Sequence, residues 1–256
     1  MKHFLLIPLL ALASAPLPLF AQKTAPKDLK DIVPAIELPG MKEFTNLPEE
    51  SRKQFTKNLE EAAKYFQQKR VFESLDEVAK ATAIFANSPA LLNIKGACYV
   101  EFRDFEKARV CFTKALELQP GVPTVIFNLA EVEFCSQQWK AALDRFTSLL
   151  PKIPEKDLAM RRLIEFKILL CKIKVGKLDE AREMAVKYDF LDDSPYHYYA
   201  NAVLEFQKKN TVKAEEWLAI ASRIFRDPAT LSPWQDTMIE YGYIKSFYGG
   251  DLGASE

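Results

Sequence analysis

Residues 89–120 read PALLNIKGACYVEFRDFEKARVCFTKALELQP, and the spacing within this stretch decides the fold. Leu92, Gly96 and Tyr99 follow one another at three- and four-residue steps, and so do Ala108, Phe112 and Ala115. Each set marks one apolar face of an α-helix. Only a short break around Asp104 separates them, so the two helices return antiparallel as a hairpin. Gly96 and Ala108 are small enough for the helices to approach closely, with Tyr99 and Phe112 filling the space beside them. Pro120 stops the second helix, because proline lacks the amide and restricts the residue before it.

The pattern repeats in both directions. Moving 34 residues on gives Ile126, Ala130 and Glu133, then Ala142, Phe146, Leu149 and Pro154. Moving 34 residues back gives Asn58, Ala62 and Tyr65, then Ser74, Val78 and Ala81. Chance apolar patterning does not hold one phase over three units. Gly176-Lys177-Leu178-Asp179-Glu180-Ala181 opens another second helix, with Ala181 placed 39 residues after Ala142. The first helix of that unit, roughly residues 155–174, is therefore expected to be a turn longer. Ala214, 33 residues beyond Ala181, restores the period. Trp234, Thr237, Met238 and Tyr241 repeat the spacing of a first helix once more before Gly249-Gly250-Asp251 ends the pattern. A lone last helix is expected to cover the open face of the fifth hairpin.

These windows resemble the tetratricopeptide repeat (TPR) family. Its pattern runs from a large apolar residue through a Leu-Gly pair and a Tyr to a later Ala, an aromatic, another Ala and a Pro. The Gly96 to Pro120 window matches best, with Lys95 where the family has Leu. The resemblance covers about 200 of the 256 residues. It implies an all-α, right-handed α-solenoid of about five antiparallel helical hairpins plus a C-terminal capping helix. The solenoid is expected over residues 48–248, opening at Pro48-Glu49-Glu50-Ser51. Its units fall at about 55–88, 89–122, 123–156, 157–194 and 195–228, the cap at 229–248 and a tail at 249–256.

In this family the first helices line a groove that receives a peptide or helix from a partner. Carried across, the groove slots are Leu59 and Phe66, then Ile94 and Val100, with Ala97 between them. The third unit offers Phe127, Asn128, Glu131 and Phe134. Phe166, Leu170 and Ile173 follow, then Tyr196, Tyr199 and Phe206. The face is apolar and aromatic, and Phe134 stands beside Glu133 where the repeat would place Tyr. Phe134 either faces the groove or turns inward to replace that Tyr. Leu59, Ala63 and Ile94 occupy slots where some relatives carry a Lys, Arg and Asn clamp for a C-terminal carboxylate, so a chaperone-tail receptor is disfavoured. The helix at residues 125–135 is apolar almost all round and must bury more than one face.

Composition limits the function. Lys plus Arg and Asp plus Glu each total 35, which argues against a nucleic-acid binder. No Gly-x-Ser-x-Gly, phosphate loop or His-Glu-x-x-His motif occurs. His197 is a lone histidine in the repeat region, and the charged runs read as solvated helix faces. No catalytic, cofactor or metal site is expected, and no enzyme. Cys98, Cys111, Cys135 and Cys171 lack Cys-x-x-Cys spacing and read as small, buried or half-buried apolar residues. Cys98 and Cys111 sit at similar heights on one hairpin, but the repeat phase does not point them at each other.

Residues 1–21 have a positive start at Lys2, an apolar run from Phe4 to Ala13 and small residues before Gln22. They read as a secretory signal peptide cleaved after Ala21, leaving no integral membrane segment. The proline-containing stretch 22–47, with Pro26, Pro34, Pro39 and Gly40, is expected to be an extended or disordered linker. The location expected is periplasmic or secreted. Two functions fit: a protein-interaction scaffold, as an accessory factor of a cell-envelope assembly, or a periplasmic chaperone-like carrier of amphipathic client segments. Both take a protein or peptide partner. The sequence leaves the oligomeric state open.

Overall fold

The computed structural model describes residues 41–245 of the chain, and no strand occurs among them. The signal-peptide reading of residues 1–21, the first part of the linker and the tail after residue 248 lie outside the described residues. Twelve helices follow in order. They are α1 (Met41–Thr45), α2 (Glu49–Gln67), α3 (Val71–Ile84), α4 (Pro89–Glu101), α5 (Phe105–Leu118) and α6 (Pro123–Cys135). Then come α7 (Trp139–Leu149), α8 (Leu158–Lys174), α9 (Leu178–Ala185), α10 (Tyr196–Gln207), α11 (Thr211–Ile224) and α12 (Pro228–Tyr241). A 3-10 turn, Leu150–Lys152, follows α7. The helix α8 has 17 residues where α4 and α6 have 13, the extra turn that the longer spacing required.

The repeat is written into the backbone of the turns. Lys69, Arg103, Gln137, Gly176 and Lys209 all have positive φ, and each ends the first helix of a hairpin. Their spacings are 34, 34, 39 and 33, the same as those of the small residues that open the second helices. Around each, two amides reach back to the end of the first helix. Arg103 N donates to Val100 O at 2.8 Å and Asp104 N to Tyr99 O at 2.9 Å. Gln137 N donates to Phe134 O at 3.0 Å and Gln138 N to Glu133 O at 2.8 Å. This is the Schellman closure, which satisfies the last carbonyls of a helix and turns the chain. Ser88, Asp104, Asp157, Asn210 and Asp227 then cap helix N-termini through their side chains.

The described chain divides into two compact units, one ending at Leu129 and one beginning at Ala130, within α6. In the N-terminal unit, a Cβ built on Gly96 would lie 2.6 Å from the Phe112 ring, so only glycine lets α4 and α5 pack this closely. Ser74 takes the small-residue slot of the first hairpin, where its hydroxyl donates to Ala62 O at 2.8 Å. Cys98 Sγ donates in turn to Ser74 Oγ at 3.3 Å. The end of the expected linker is not extended. Met41–Thr45 is helical, and the Phe44 ring packs 5.2 Å from Phe55 and 5.3 Å from Phe85. Two rings on the first hairpin give Phe44 an apolar site that proline counting does not reveal.

In the C-terminal unit, Glu133 fills the Tyr slot of its repeat. It is buried and accepts a bidentate pair from Arg145, Nε to Oε2 at 2.8 Å and Nη2 to Oε1 at 2.7 Å. The short α9 is followed by a loop tied back to α8. Arg162 holds Asp192 through Nε and Nη2 at 2.9 and 2.8 Å and lies 3.6 Å over the Tyr188 ring. Glu165 accepts from Lys187 at 2.7 Å and from Tyr188 Oη at 3.0 Å. Burial by itself would raise the Asp192 carboxyl, but hydrogen bonds from Arg162 and Ser194 offset this and hold it below the usual range.

Candidate helix-binding face

The last helix covers more than the fifth hairpin: Trp234 meets Tyr196 and Tyr199 of α10 as well as Phe166 of α8. It packs against α8, and its apolar face lies on first helices. Trp234, Thr237, Met238 and Tyr241 are all buried, and their i, i+3, i+4, i+7 spacing makes one stripe along α12. The Trp234 ring lies 5.2 Å from Phe166, 5.5 Å from Tyr199 and 6.4 Å from Tyr196. Tyr241 lies 6.2 Å from Phe134 and 5.5 Å from Trp139, and its hydroxyl donates to Leu170 O at 3.2 Å. Tyr243, just past α12, stacks on Phe206 at 4.8 Å. Spacing alone made α12 look like one more first helix. It cannot say how much of the aromatic face of α8 and α10 an amphipathic helix covers.

A polar core sits beneath α12. Lys167 Nζ donates to Glu131 Oε2 at 3.0 Å and to Thr237 Oγ1 at 2.8 Å, and stands 4.7 Å from the Phe134 ring centre. Both charges are almost fully buried. Burial pushes the Glu131 carboxyl up from its ordinary value, and the adjacent Lys167 ammonium only partly opposes this. The other Glu131 oxygen, although close to Lys167, takes no hydrogen bond, and the buried Tyr199 hydroxyl has no partner either. Buried polar atoms of this kind are uncommon.

Most of the residues assigned to a docking groove are not open to solvent. Phe66, Ile94, Val100, Phe127, Asn128, Phe134, Phe166, Leu170, Tyr196 and Tyr199 are buried. Leu59, Ile173 and Phe206 are half-buried. In the N-terminal unit, Asn128 Nδ2 donates to Asn93 Oδ1 at 2.9 Å, so this groove slot holds a buried amide pair. Every residue from 124 to 134 is buried, the all-round burial expected of α6. Phe134 is core: it is fully covered, with Trp139 and Phe146 rings at 5.2 and 6.4 Å. In the C-terminal unit the structure does bring Phe134, Phe166, Leu170, Tyr196, Tyr199 and Phe206 onto one surface, under α12 and Tyr243. Glu131 and Lys167 lie at its centre. The signal for them was Lys167 itself, a cation inside the apolar run Leu163–Cys171 that needs a buried anion.

His197 is structural, its Nδ1 3.1 Å from Tyr188 O and its ring against Trp217 at 5.6 Å. Cys98, Cys111 and Cys171 are buried free thiols. Burial pushes Cys98 up to about 11 and Cys171 up to about 12. Among the described residues no group of His, Cys, Asp and Glu could hold a metal ion, and no helix is long and apolar enough to cross a membrane.

No protein-family profile matches the chain. ETO1-like protein 2 of Arabidopsis thaliana is 27% identical over 153 residues, 60% of this chain, and the chain spans 16% of that protein's length. Three solved structures share the architecture. YrrB, described as a TPR protein with an unusual peptide-binding site, has a TM-score of 0.53 at 23% identity, covering 73% of this chain and 94% of its own. MamA from Desulfovibrio magneticus RS-1 scores 0.55 at 16% identity, covering 68% and 96%. PilF of Pseudomonas aeruginosa scores 0.52 at 14% identity, covering 77% and 99%. Repeat phase, hairpin turns and these likenesses agree that the chain has the helical repeat fold of tetratricopeptide repeat proteins.

Proposed function

We propose that the chain is a non-catalytic protein-interaction scaffold that takes a helix or peptide of a protein partner on the first-helix face of its C-terminal unit. The observation that carries this reading is the seating of α12, whose Trp234, Thr237, Met238 and Tyr241 stripe lies on aromatics of α6, α8 and α10. A face that holds one amphipathic helix in this way is built to hold a helix. The peptide-binding site described for YrrB supports the same use of the fold. Export rests on residues 1–21 alone, and with it the role as an accessory factor of a cell-envelope assembly. Cross-linking the chain in its native cells, with mass spectrometry of the products, tests both. A scaffold gives one stoichiometric partner cross-linked to α8, α10 or α12, and an intact mass beginning at Gln22. Many substoichiometric apolar clients would indicate the carrier instead. Retention of Met1 would remove the export step.

A further inference from the structure

Resting on that reading, we propose that α12 is a displaceable lid, an internal ligand that a partner's amphipathic helix must replace. The occupant is a helix with two aromatic anchors seven residues apart and a hydroxyl residue plus an unbranched apolar residue between them. That is the pattern Trp234, Thr237, Met238 and Tyr241 present. Three features separate a lid from a permanent core helix. The helix α12 lies on the first helices α8 and α10, and only residues 225–227 connect it to α11. Pro233 lies inside it and leaves Ala229, four residues earlier, without its usual amide donor. Its cover is incomplete: Tyr199 Oη and one Glu131 oxygen remain without hydrogen-bond partners beneath it. A partner helix that brings an acceptor to Tyr199 satisfies what α12 leaves unmet, which gives it the differential affinity that displacement requires.

The lid also accounts for the burial of groove slots in the C-terminal unit. Trp234 covers Phe166, Tyr196 and Tyr199, Tyr241 covers Phe134, and Tyr243 covers Phe206. With α12 seated, the affinity of any partner helix is reduced by the fraction of molecules in which the lid is open.

Two measurements test the proposal. The first uses a fluorescent peptide with the sequence of residues 228–241, titrated into the full chain and into the doubly substituted Trp234→Ala, Tyr241→Ala chain. The weakened lid should bind the peptide at least about tenfold more tightly than the unmodified chain, and a peptide with its own Trp replaced by Ala should not bind. Equal affinity for both chains overturns the proposal, and so does concentration-dependent dimerisation of the variant, because the occupant is then a second copy. The second measurement is hydrogen exchange on the unmodified chain, which does not depend on the variant folding. Amides of α12 should open before those of α8 and α10. Exchange of all three together overturns the lid. A single cross-linked partner found alongside such uniform exchange would leave the scaffold reading standing, whereas peptide binding with no partner in cells would leave the lid and remove the scaffold.

Discussion

At single positions, the sterics and charge of this fold give sharp expectations. Gly96→Ala places a methyl group 2.6 Å from the Phe112 ring, which is fully buried and has nowhere to go. Overpacking costs about 1–3 kcal/mol, and the helix propensity gained by alanine returns at most about 1 kcal/mol. Denaturant unfolding should therefore show net destabilisation, with Ala108→Gly far less informative because it adds no contact. Phe134→Ala should cost about 3–5 kcal/mol as a core truncation, and a melting temperature unchanged by it would return Phe134 to the surface. The Glu131 and Lys167 pair behaves differently. Removing either partner leaves a buried charge and should destabilise by about 3–5 kcal/mol, whereas replacing both with apolar residues should be nearly neutral or stabilising. A double-mutant cycle measures this directly, and additive losses would mean the pair does not act as a unit.

A buried and a half-buried carboxylate should also impose opposite pH dependences. Asp192 is held low, so its contribution is present above the ordinary aspartate value and is lost as pH falls through its depressed value. Asp192→Asn should flatten the fall in melting temperature on acidification below about pH 4. Glu131 is held high, so its contribution is complete at low pH and is lost as pH rises through its raised value. Glu131→Gln should remove a loss of stability that appears on going toward neutral pH. Melting curves of the three chains between acid and neutral pH give both signs in one experiment.

Among the elements, the hairpin turns carry the repeat most faithfully, yet only one of them uses glycine. Gly176 takes the left-handed position without strain, while Lys69, Arg103, Gln137 and Lys209 adopt the same φ with a side chain attached. A Cβ in that conformation costs on the order of 1 kcal/mol per residue. Gln137→Gly should therefore stabilise by up to about 1 kcal/mol, after the loss of unfolded-state stiffness is subtracted. Gly176→Ala should destabilise by a similar amount. If both changes are neutral in denaturant melts, the turns relax and the Schellman closure is not what fixes them. The phase of these turns was legible in the sequence because the small residues at Gly96, Ala108, Ala142, Ala181 and Ala214 are forced by close helix approach. The extra turn of α8 was legible for the same reason, as a change in spacing from 34 to 39. The short helix at Phe44 was not, because its stability comes from two rings distant in sequence and not from a local pattern.

On the scale of the whole chain, the repeat and its lone last helix were readable, and the reach of that helix beyond the fifth hairpin was not. Periodicity reports which residues share a helix face, and the stripe from Trp234 to Tyr241 is correct in that sense. It does not report how far the stripe reaches, from Tyr196 and Tyr199 of the fifth hairpin across to Phe166 and Phe134 of earlier repeats. The same limit explains the groove residues. Their types and register were read from the sequence, but the exposure of those in the C-terminal unit depended on a helix more than sixty residues beyond Lys167, its partner through Thr237. Deleting residues 228–256 separates these cases. Removal of a cap confined to the fifth hairpin would chiefly loosen α10 and α11. Removal of a cover on α6, α8 and α10 should leave those helices folded, with circular dichroism losing little more than the 14 residues of α12, and should expose Phe134, Phe166, Tyr196 and Tyr199 together. An apolar patch of four aromatics drives association, each ring contributing roughly 1.5–3 kcal/mol when buried again. The truncated chain should therefore sediment as concentration-dependent oligomers while hydrogen exchange in residues 49–118 stays as it was. A truncated chain that remains monomeric, with α10 and α11 exchanging faster than α8, would confine the cover of α12 to the fifth hairpin.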